Sequence, residues 1–125
     1  VDVIDRGQLG LWYEIAVVMD RNEGKVVIFV DGMEVGGGEI NIEEAVSHDG
    51  PLLIGATREP GRGVARFIGL IEELVIWDQL RTIEQIDSDF ANGVPAGEEN
   101  LAAHWRFDEP SGEDLFDASR NNNDA

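Results

Sequence analysis

The chain has 125 residues, the length of one ordinary domain, so we expect a single hydrophobic core. It carries 26 acidic and 9 basic residues, for a formal net charge of −17 at pH 7. That charge repels phosphate groups, which argues against nucleic-acid binding and against attraction to an anionic membrane. Because 42% of the residues are apolar, the sequence predicts a folded chain, and the absence of cysteine excludes disulfides and thiolate metal sites. The apolar runs are too short to span a bilayer, so no membrane insertion is expected.

The first half of the sequence predicts consecutive β-hairpins. Apolar, β-branched runs at residues 12–19 and 25–30 flank a polar loop at residues 20–24. Asp31 and Gly32 then predict a tight turn, because this dipeptide accepts the positive φ angles of a two-residue hairpin loop. A returning strand starts at Met33, and we expect the three glycines at residues 36–38 to end it.

Two further apolar runs follow. Residues 52–56 predict a buried strand, with a flexible loop after it at residues 57–63. Residues 67–77 are apolar on both faces, so a helix is the alternative there. β-Branched and aromatic residues favour a strand, bent at Gly69.

The last third contains one helix and one strand. Thr82 and Gln85 form a capping box and Gly93 follows the apolar spacing, which together predict a short helix near residues 82–92. Residues 101–107 alternate as in a strand, whereas the acidic, asparagine-rich end favours a loop or a frayed terminus. The order of elements therefore predicts an all-β, antiparallel β-sandwich with one short helix.

Several segments are specific enough to indicate a family. The segment WYEIAVVMDRNEGKVVIFVDGMEV resembles the central hairpin of laminin-G-like, concanavalin A-like jelly-roll domains. The later segments LLIGA and FIGLIEELVIWDQLRTIEQI are similar to later strands and a short helix of the same family. The resemblance implies a jelly roll, an extracellular or cell-surface setting, and a carbohydrate or protein ligand.

The end of the chain also resembles this family, but at an unexpected place. The segment HWRFDEPSGEDLFDASRNNNDA is similar to the opening strand of such a domain. We therefore interpret residues 1–95 as the C-terminal part of a laminin-G-like sandwich, and residues 96–125 as a permuted strand or the start of a tandem repeat. Only residues 1–10 are available for the strands that normally precede the central hairpin in this family. A second copy of the chain, the remainder of a larger protein, or a reduced sandwich could cover the exposed sheet faces.

The sequence argues against an enzyme. Glycoside hydrolases of related fold use two carboxylates on one face of a groove, whereas Glu72 and Glu73 are consecutive strand residues and point to opposite faces. A structural role, such as pairing with Arg66 or Arg106 or capping turn amides, is the preferred interpretation of these glutamates. His104 is interpreted as a structural or solvated histidine, and His48 as part of a turn.

A calcium site is the more favourable hypothesis, with a solvated acidic loop as its alternative. Calcium prefers carboxylate, amide and backbone oxygens gathered on an irregular loop. The end of the chain offers such oxygens, and related laminin-G-like domains often hold calcium. The candidate ligands are Asp108, Asp117, Asn121, Asn123 and Asp124, with Glu109 nearby.

Ligand binding in this family typically involves exposed aromatic rings and polar loops. Trp12, Trp77 and Trp105 lie in predicted strands and are interpreted as core residues. We predict a ligand-binding rim that contains Arg58 and Arg62. The sequence as a whole favours a non-catalytic binding module for a carbohydrate or a protein, capable of forming a homo-oligomer. A structural, self-associating module is the alternative, and a glycoside hydrolase-related domain is the least favoured one.

Overall fold

The computed structural model describes residues 10–41, 50–59, 63–95, 97–112 and 114–125. These ranges contain seven β-strands and one α-helix. Instead of the single core expected from its length, the chain forms two compact units. The first unit comprises Val1–Ala45 and Trp77–Ala96, and the second comprises Val46–Ile76 and Gly97–Ala125.

The first unit contains a three-stranded antiparallel sheet. Its strands are β1 (Ile15–Asp20), β2 (Lys25–Val30) and β3 (Met33–Glu39), in the order β1-β2-β3. The predicted turn at Asp31 and Gly32 is confirmed, since these residues have φ angles of 49° and 73°. The Asp20 carboxylate accepts the backbone N–H groups of Asn22 and Glu23, which stabilises the turn between β1 and β2.

The glycines of β3 do not end the strand as predicted. Strand β3 continues through them to Glu39, because its backbone pairs with β2 and needs no side chains to do so. The register shifts between Ile28 and Phe29, which is a β-bulge. At Gly37 the absence of a side chain is required, because a Cβ there would collide with the backbone oxygen of Val26.

The single helix of the described chain, α1, spans Ile83–Asn92 and confirms the predicted helix. Thr82 is its N-cap and forms both halves of a capping box: the Thr82 N–H donates to Gln85 Oε1 at 2.9 Å, and the Gln85 N–H donates to Thr82 Oγ1 at 3.3 Å. Among the described residues there is no helix long and apolar enough to cross a membrane.

Replacing Thr82 by alanine should lower the free energy of unfolding by about 1 kcal/mol, because the first turn of α1 loses its capping oxygen. Urea unfolding followed by circular dichroism measures this loss. Thr82→Ser retains the oxygen and serves as the control. An equal loss in both variants would contradict the capping role of the hydroxyl group.

The second unit begins with a segment that differs from its prediction. Residues 52–56 do not form a buried strand: Leu52 and Leu53 are 63% and 44% exposed. Gly55 has a φ of 69°, which is incompatible with extended backbone and interrupts the run. Strand β4 (Ala56–Glu59) starts after it and pairs antiparallel with β5 (Gly63–Arg66). The segment predicted as a flexible loop, residues 57–63, therefore supplies most of the first arm of a hairpin and the first residue of the second arm.

Only the end of the apolar run at residues 67–77 is a strand. Strand β6 covers Leu74–Trp77, while Ile68 and Leu70 before it are 96% and 78% exposed. The predicted bend at Gly69 is present, and the Phe67 ring there occupies the space of a side chain, but residues 67–73 do not form a strand. The N–H of Phe67 donates to the oxygen of Gly55 at 2.8 Å instead.

Strand β7 (Leu101–Trp105) pairs with β6 and contains most of the buried residues of this unit. Leu101, Ala103 and Trp105 are each 4% exposed, which confirms the predicted apolar face. The strand ends earlier than predicted, and Phe107 has a φ of 55°. The end of the chain is an irregular loop, which was one of the two predicted alternatives. It is not frayed, because the backbone of Asp117 forms an antiparallel bridge with Trp105. Antiparallel strands with one short helix confirm the all-β fold class.

Candidate functional site

A network of hydrogen bonds around Asp117 connects the C-terminal segment with β7. The Asp117 carboxylate is buried, and its Oδ1 accepts the backbone N–H groups of His104 at 2.9 Å and Ser119 at 2.8 Å. Its Oδ2 accepts the Ser119 hydroxyl at 2.7 Å and, from Asn123, the backbone N–H at 2.9 Å and the amide N–H at 3.0 Å. We refer to Asp117, Ser119, Asn121 and Asn123 with these bonds as the Asp117 network.

The asparagines of this network use their amide groups to hold β7. Asn121 Nδ2 donates to the backbone oxygens of Leu101 at 3.0 Å and Ala102 at 2.9 Å, and Asn123 Nδ2 also donates to Ala102 at 2.9 Å. Trp105 Nε1 in turn donates to the backbone oxygen of Asn123 at 3.0 Å. Side-chain amides thus hold the irregular segment at the start of β7, and the Trp105 indole holds it at the end of the strand.

The hydrogen bonds to Asp117 determine its charge state. Burial raises the pKa of this carboxyl group, but the N–H groups of Asn123, Ser119 and His104 and the Ser119 hydroxyl outweigh burial. Their combined effect holds the pKa of Asp117 well below its usual range. Asp117 is therefore a carboxylate throughout the physiological pH range.

His104 and Glu73 are partners, a pairing that the sequence interpretation offered for neither residue. The His104 side chain is 2% exposed, and its Nε2 lies 2.5 Å from Oε1 of Glu73. The sequence interpretation of Glu73 was pairing with Arg66 or Arg106, or capping of turn amides, whereas its Oε1 contacts the histidine. His104 is thus a satisfied structural histidine, as one of the two sequence interpretations held.

A shallow groove of about 390 Å³ lies beside the Asp117 network in the second unit. Phe116, which is 61% exposed, provides the aromatic surface of the groove. Arg106 contributes a guanidinium, and Asp108 and Glu109 contribute carboxylates. Its lining residues are Arg106, Asp108, Glu109, Pro110, Phe116 and Ala118.

Glu109 connects the groove with the position of the aromatic ring. Its Oε1 accepts the backbone N–H of Phe116 at 2.9 Å, while its Oε2 is buried without a hydrogen-bond partner. The N–H groups of Phe116 and of Glu109 itself lower the pKa of Glu109. Glu109 is therefore an ionised carboxylate that positions Phe116, with its Oε2 closed to solvent.

The predicted calcium ligands lie in two places. Asp117, Asn121 and Asn123 belong to the Asp117 network, and Asp124 accepts the Asp117 N–H at 2.8 Å. Asp108 and Glu109 line the groove instead. In the parts of the chain described here, no three acidic or histidine side chains converge in a way that could hold a metal ion.

The structure describes only one of the two predicted rim arginines, and the three tryptophans differ in their exposure. Arg58 lies in β4, with its backbone opposite Val64, whereas Arg62 and His48 fall outside the described residues. Trp105 is buried as expected, but Trp12 is 58% exposed and not a core residue. Trp77 is half-buried, and the Arg81 guanidinium lies 4.0 Å from the centre of its ring.

Comparison with known protein families gives one match. A laminin-G family model, described as the concanavalin A-like lectin/glucanases superfamily, matches residues 5–87. The chain belongs to this superfamily. No solved structure matches it. The matched residues include β1 to β6, whereas the Asp117 network and the groove lie beyond them.

Membership in the laminin-G-like family defines the general type of function. Domains of this family are generally non-catalytic binding modules, although the wider superfamily includes glycosidases. The laminin-G-like resemblance of the sequence is thereby confirmed over the hairpin, the later strands and the start of α1. Assignment of residues 96–125 to a permuted strand or to a tandem repeat stays a prediction.

The hydrogen bonding of the Asp117 oxygens does not favour a calcium site. Both carboxylate oxygens are directed at N–H or O–H groups, and a cation would have to displace those hydrogen bonds. Asn121 and Asn123 point their amide nitrogens at β7, where they act as donors. The calcium site stays a prediction, and this hydrogen bonding argues against it.

Adding millimolar calcium or a chelator should leave the melting temperature of the domain unchanged, because the Asp117 oxygens already have donors. Differential scanning calorimetry measures this directly. Magnesium provides the control for a general ionic effect. A rise of several degrees that occurs with calcium alone, and that Asn121→Ala abolishes, would support the calcium site.

Sequence reasoning missed Phe116 and the role of Glu109 in the groove. Phe116 sits in an acidic, irregular stretch, without the alternation that indicates a strand. The pattern Asp117-Ala118-Ser119 did contain a usable signal, because an aspartate often accepts the N–H two residues later. Nothing in that pattern indicates that the same carboxylate reaches back to β7.

Proposed function

We propose that this laminin-G-like domain is a non-catalytic module that binds carbohydrate in the groove beside Phe116. The observation that carries the proposal is an exposed aromatic ring next to one cationic and two anionic side chains. Membership in a superfamily that contains lectins supports the same ligand class. The proposed setting is extracellular or at the cell surface, where laminin-G-like domains typically occur.

The groove matches the chemistry of a sugar ring. The C–H face of a pyranose packs against an aromatic ring, whereas its hydroxyl groups both donate and accept hydrogen bonds. Among the lining residues, Arg106 carries hydrogen-bond donors and Asp108 carries acceptors.

Charge states in the groove favour binding over hydrolysis. Glycoside hydrolases need one carboxylic acid that stays protonated near neutral pH, beside a second, ionised carboxylate. The pKa of Glu109 is lowered, mainly by the backbone N–H of Phe116, so this residue is not a proton donor at neutral pH. We therefore propose that a bound saccharide leaves the groove unchanged.

Replacing Phe116 by alanine should weaken carbohydrate binding about tenfold, which corresponds to ~1.4 kcal/mol, because the stacking surface is lost. A glycan array with the wild-type domain identifies the oligosaccharide, and titration calorimetry then measures its affinity for each variant. Phe116→Trp retains an aromatic surface and should bind at least as well as the wild type.

Phe90→Ala is the matched control for this experiment. Phe90 is 65% exposed and lies on α1 in the first unit, so its removal should leave the affinity unchanged. Equal loss in both alanine variants would contradict a binding site at Phe116, as would the absence of any glycan ligand for the wild type. Release of reducing ends from the bound oligosaccharide would contradict the non-catalytic assignment.

A further inference from the structure

Helix α1 ends at an asparagine that is followed by a glycine. Asn92 is the last residue of the helix and is exposed, and Gly93 follows it with a φ of 77° and a ψ of 157°. Only glycine adopts this region of φ and ψ without strain, because a Cβ would clash with the backbone. Asn92 and Gly93 form the only asparagine–glycine pair of the sequence. The way in which α1 ends therefore requires a glycine directly after this asparagine.

The surroundings of Gly93 leave its backbone accessible. Apart from its chain neighbours, a Cβ added at Gly93 would meet no described atom within 4 Å. Gly93 also has no side chain of its own that could shield its backbone nitrogen. The Asn92 side chain can therefore approach this nitrogen without steric hindrance once it is released from its present contacts.

Two hydrogen bonds hold the Asn92 amide in the last turn of α1. Asn92 Nδ2 donates to the backbone oxygen of Ser88 at 3.0 Å and to Ser88 Oγ at 3.4 Å. Both bonds are exposed to water, and the ends of helices fray readily. Opening of the last turn therefore releases the amide from Ser88 while the rest of the domain stays folded.

We propose that Asn92 and Gly93 are a modification site, at which a succinimide forms spontaneously and converts Asn92 to aspartate or isoaspartate. The backbone nitrogen of Gly93 attacks Cγ of Asn92 and forms a new C–N bond. The bond from Cγ to Nδ2 breaks, and Nδ2 leaves as ammonia with the proton of the Gly93 N–H. Water then opens the ring at either of its carbonyl carbons. One opening gives aspartate, and the other gives isoaspartate, in which Cγ has become part of the main chain.

Both products should loosen the end of α1. A carboxylate does not donate hydrogen bonds, so both contacts with Ser88 are lost. The new negative charge lies at the C-terminus of the helix, which is the negative end of the helix dipole, and the last turn contains no basic residue. Val94, two residues later, is 8% exposed, so the change occurs next to a core residue of the first unit.

Peptide mapping by mass spectrometry tests the proposal on the folded, full chain after incubation at a mildly alkaline pH. Asn92 should react about tenfold faster than Asn22. Asn22 is the internal control, because it is also exposed but precedes Glu23, whose side chain hinders ring closure. Isoaspartate should be present among the products, since direct hydrolysis of the amide gives aspartate alone.

Substitutions at Asn92 separate the reaction from its effect on the helix. Asn92→Gln keeps an amide but would have to close a larger ring, so modification at this position should disappear. Asn92→Asp reproduces one product and should lower the melting temperature by about 2 to 5 °C. Asn22→Asp adds the same charge in the turn between β1 and β2 and is the control, with an expected change below about 1 °C.

Four results would overturn the proposal. Equal reaction rates at Asn92 and Asn22, or aspartate without isoaspartate, would exclude the succinimide. Reaction of Asn92 only in urea concentrations that unfold the domain would show that the contacts with Ser88 protect it. Equal melting temperatures of Asn92→Asp and Asn22→Asp would exclude the effect on α1. None of these results bears on the carbohydrate groove, which belongs to the second unit.

Discussion

Replacing Asp117 by asparagine should lower the free energy of unfolding by about 3 kcal/mol, because hydrogen bonds to a buried carboxylate stabilise by roughly 1.5 to 3 kcal/mol each. Asparagine has nearly the same shape but offers one acceptor oxygen where the carboxylate offers two. Its amide nitrogen would face the N–H groups of Ser119 and His104 or those of Asn123. Urea unfolding followed by tryptophan fluorescence measures the loss.

The stabilisation by Asp117 should also disappear in acid. The pKa of Asp117 is lower in the folded state than in the unfolded chain, where aspartate titrates near ~3.9. Stability from such a group is fully present above the unfolded pKa and decreases as the pH falls towards the folded one. The difference between wild type and Asp117→Asn should therefore be constant above about pH 5 and shrink below about pH 4.

Asp114→Asn removes the same charge from an exposed position three residues earlier and is the control for Asp117→Asn. Its effect on stability should be within about 0.5 kcal/mol, as is usual for surface substitutions. If both variants lost the same stability, overall charge would be responsible and the hydrogen bonds would not. A pH-independent difference would contradict the role of the ionised carboxylate.

Trp105→Ala should destabilise the domain by about 4 kcal/mol, because it removes a large aromatic side chain from the core. Trp105 is 4% exposed, and its Nε1 donates to the backbone oxygen of Asn123. The substitution therefore removes both core packing and one connection between β7 and the C-terminal segment. Chemical denaturation followed by far-ultraviolet circular dichroism gives the magnitude.

Trp12→Ala is the natural comparison for Trp105→Ala. Trp12 is 58% exposed, so its removal should cost less than about 1 kcal/mol. Trp105→Phe keeps most of the packing but loses the N–H donor, and we expect a loss of about 1 to 2 kcal/mol. Similar losses in Trp105→Ala and Trp12→Ala would show that the two tryptophans are equally buried.

Local signals account for the parts of the fold that were predicted correctly. The turn at Asp31 and Gly32 depends on two residues that accept positive φ, and the cap of α1 depends on Thr82 and Gln85. Each of these features is formed by neighbours in the chain. Sequence patterns therefore contain most of the information that determines them.

Errors arose where a distant partner or a single backbone angle decides the outcome. The glycines of β3 remain in a strand because β2 pairs with them, although their own propensity predicts a break. Conversely, residues 52–56 are apolar enough for a strand, but the positive φ of Gly55 interrupts it. Composition alone does not distinguish these two cases.

The candidate site shows a similar limit. A loop rich in aspartate and asparagine suits calcium, but it equally suits a network in which the same oxygens accept N–H groups. The difference lies in what faces the oxygens of Asp117, and the donors include the His104 N–H in β7, 13 residues earlier. Residue types near the end of the chain do not identify that partner.

The order of strands along the chain has a consequence for how the domain folds. Strands β1, β2 and β3 follow one another through short turns, and hairpins of this kind form in roughly 1 to 10 μs. Strand β7 instead pairs with β6, although α1 lies between these two strands in the sequence. His104 of β7 contacts Glu73, which lies 31 residues earlier in the chain. Closing that longer loop costs more chain entropy. We therefore expect the hairpins to be early events, and the Asp117 network to assemble only after β7 has docked.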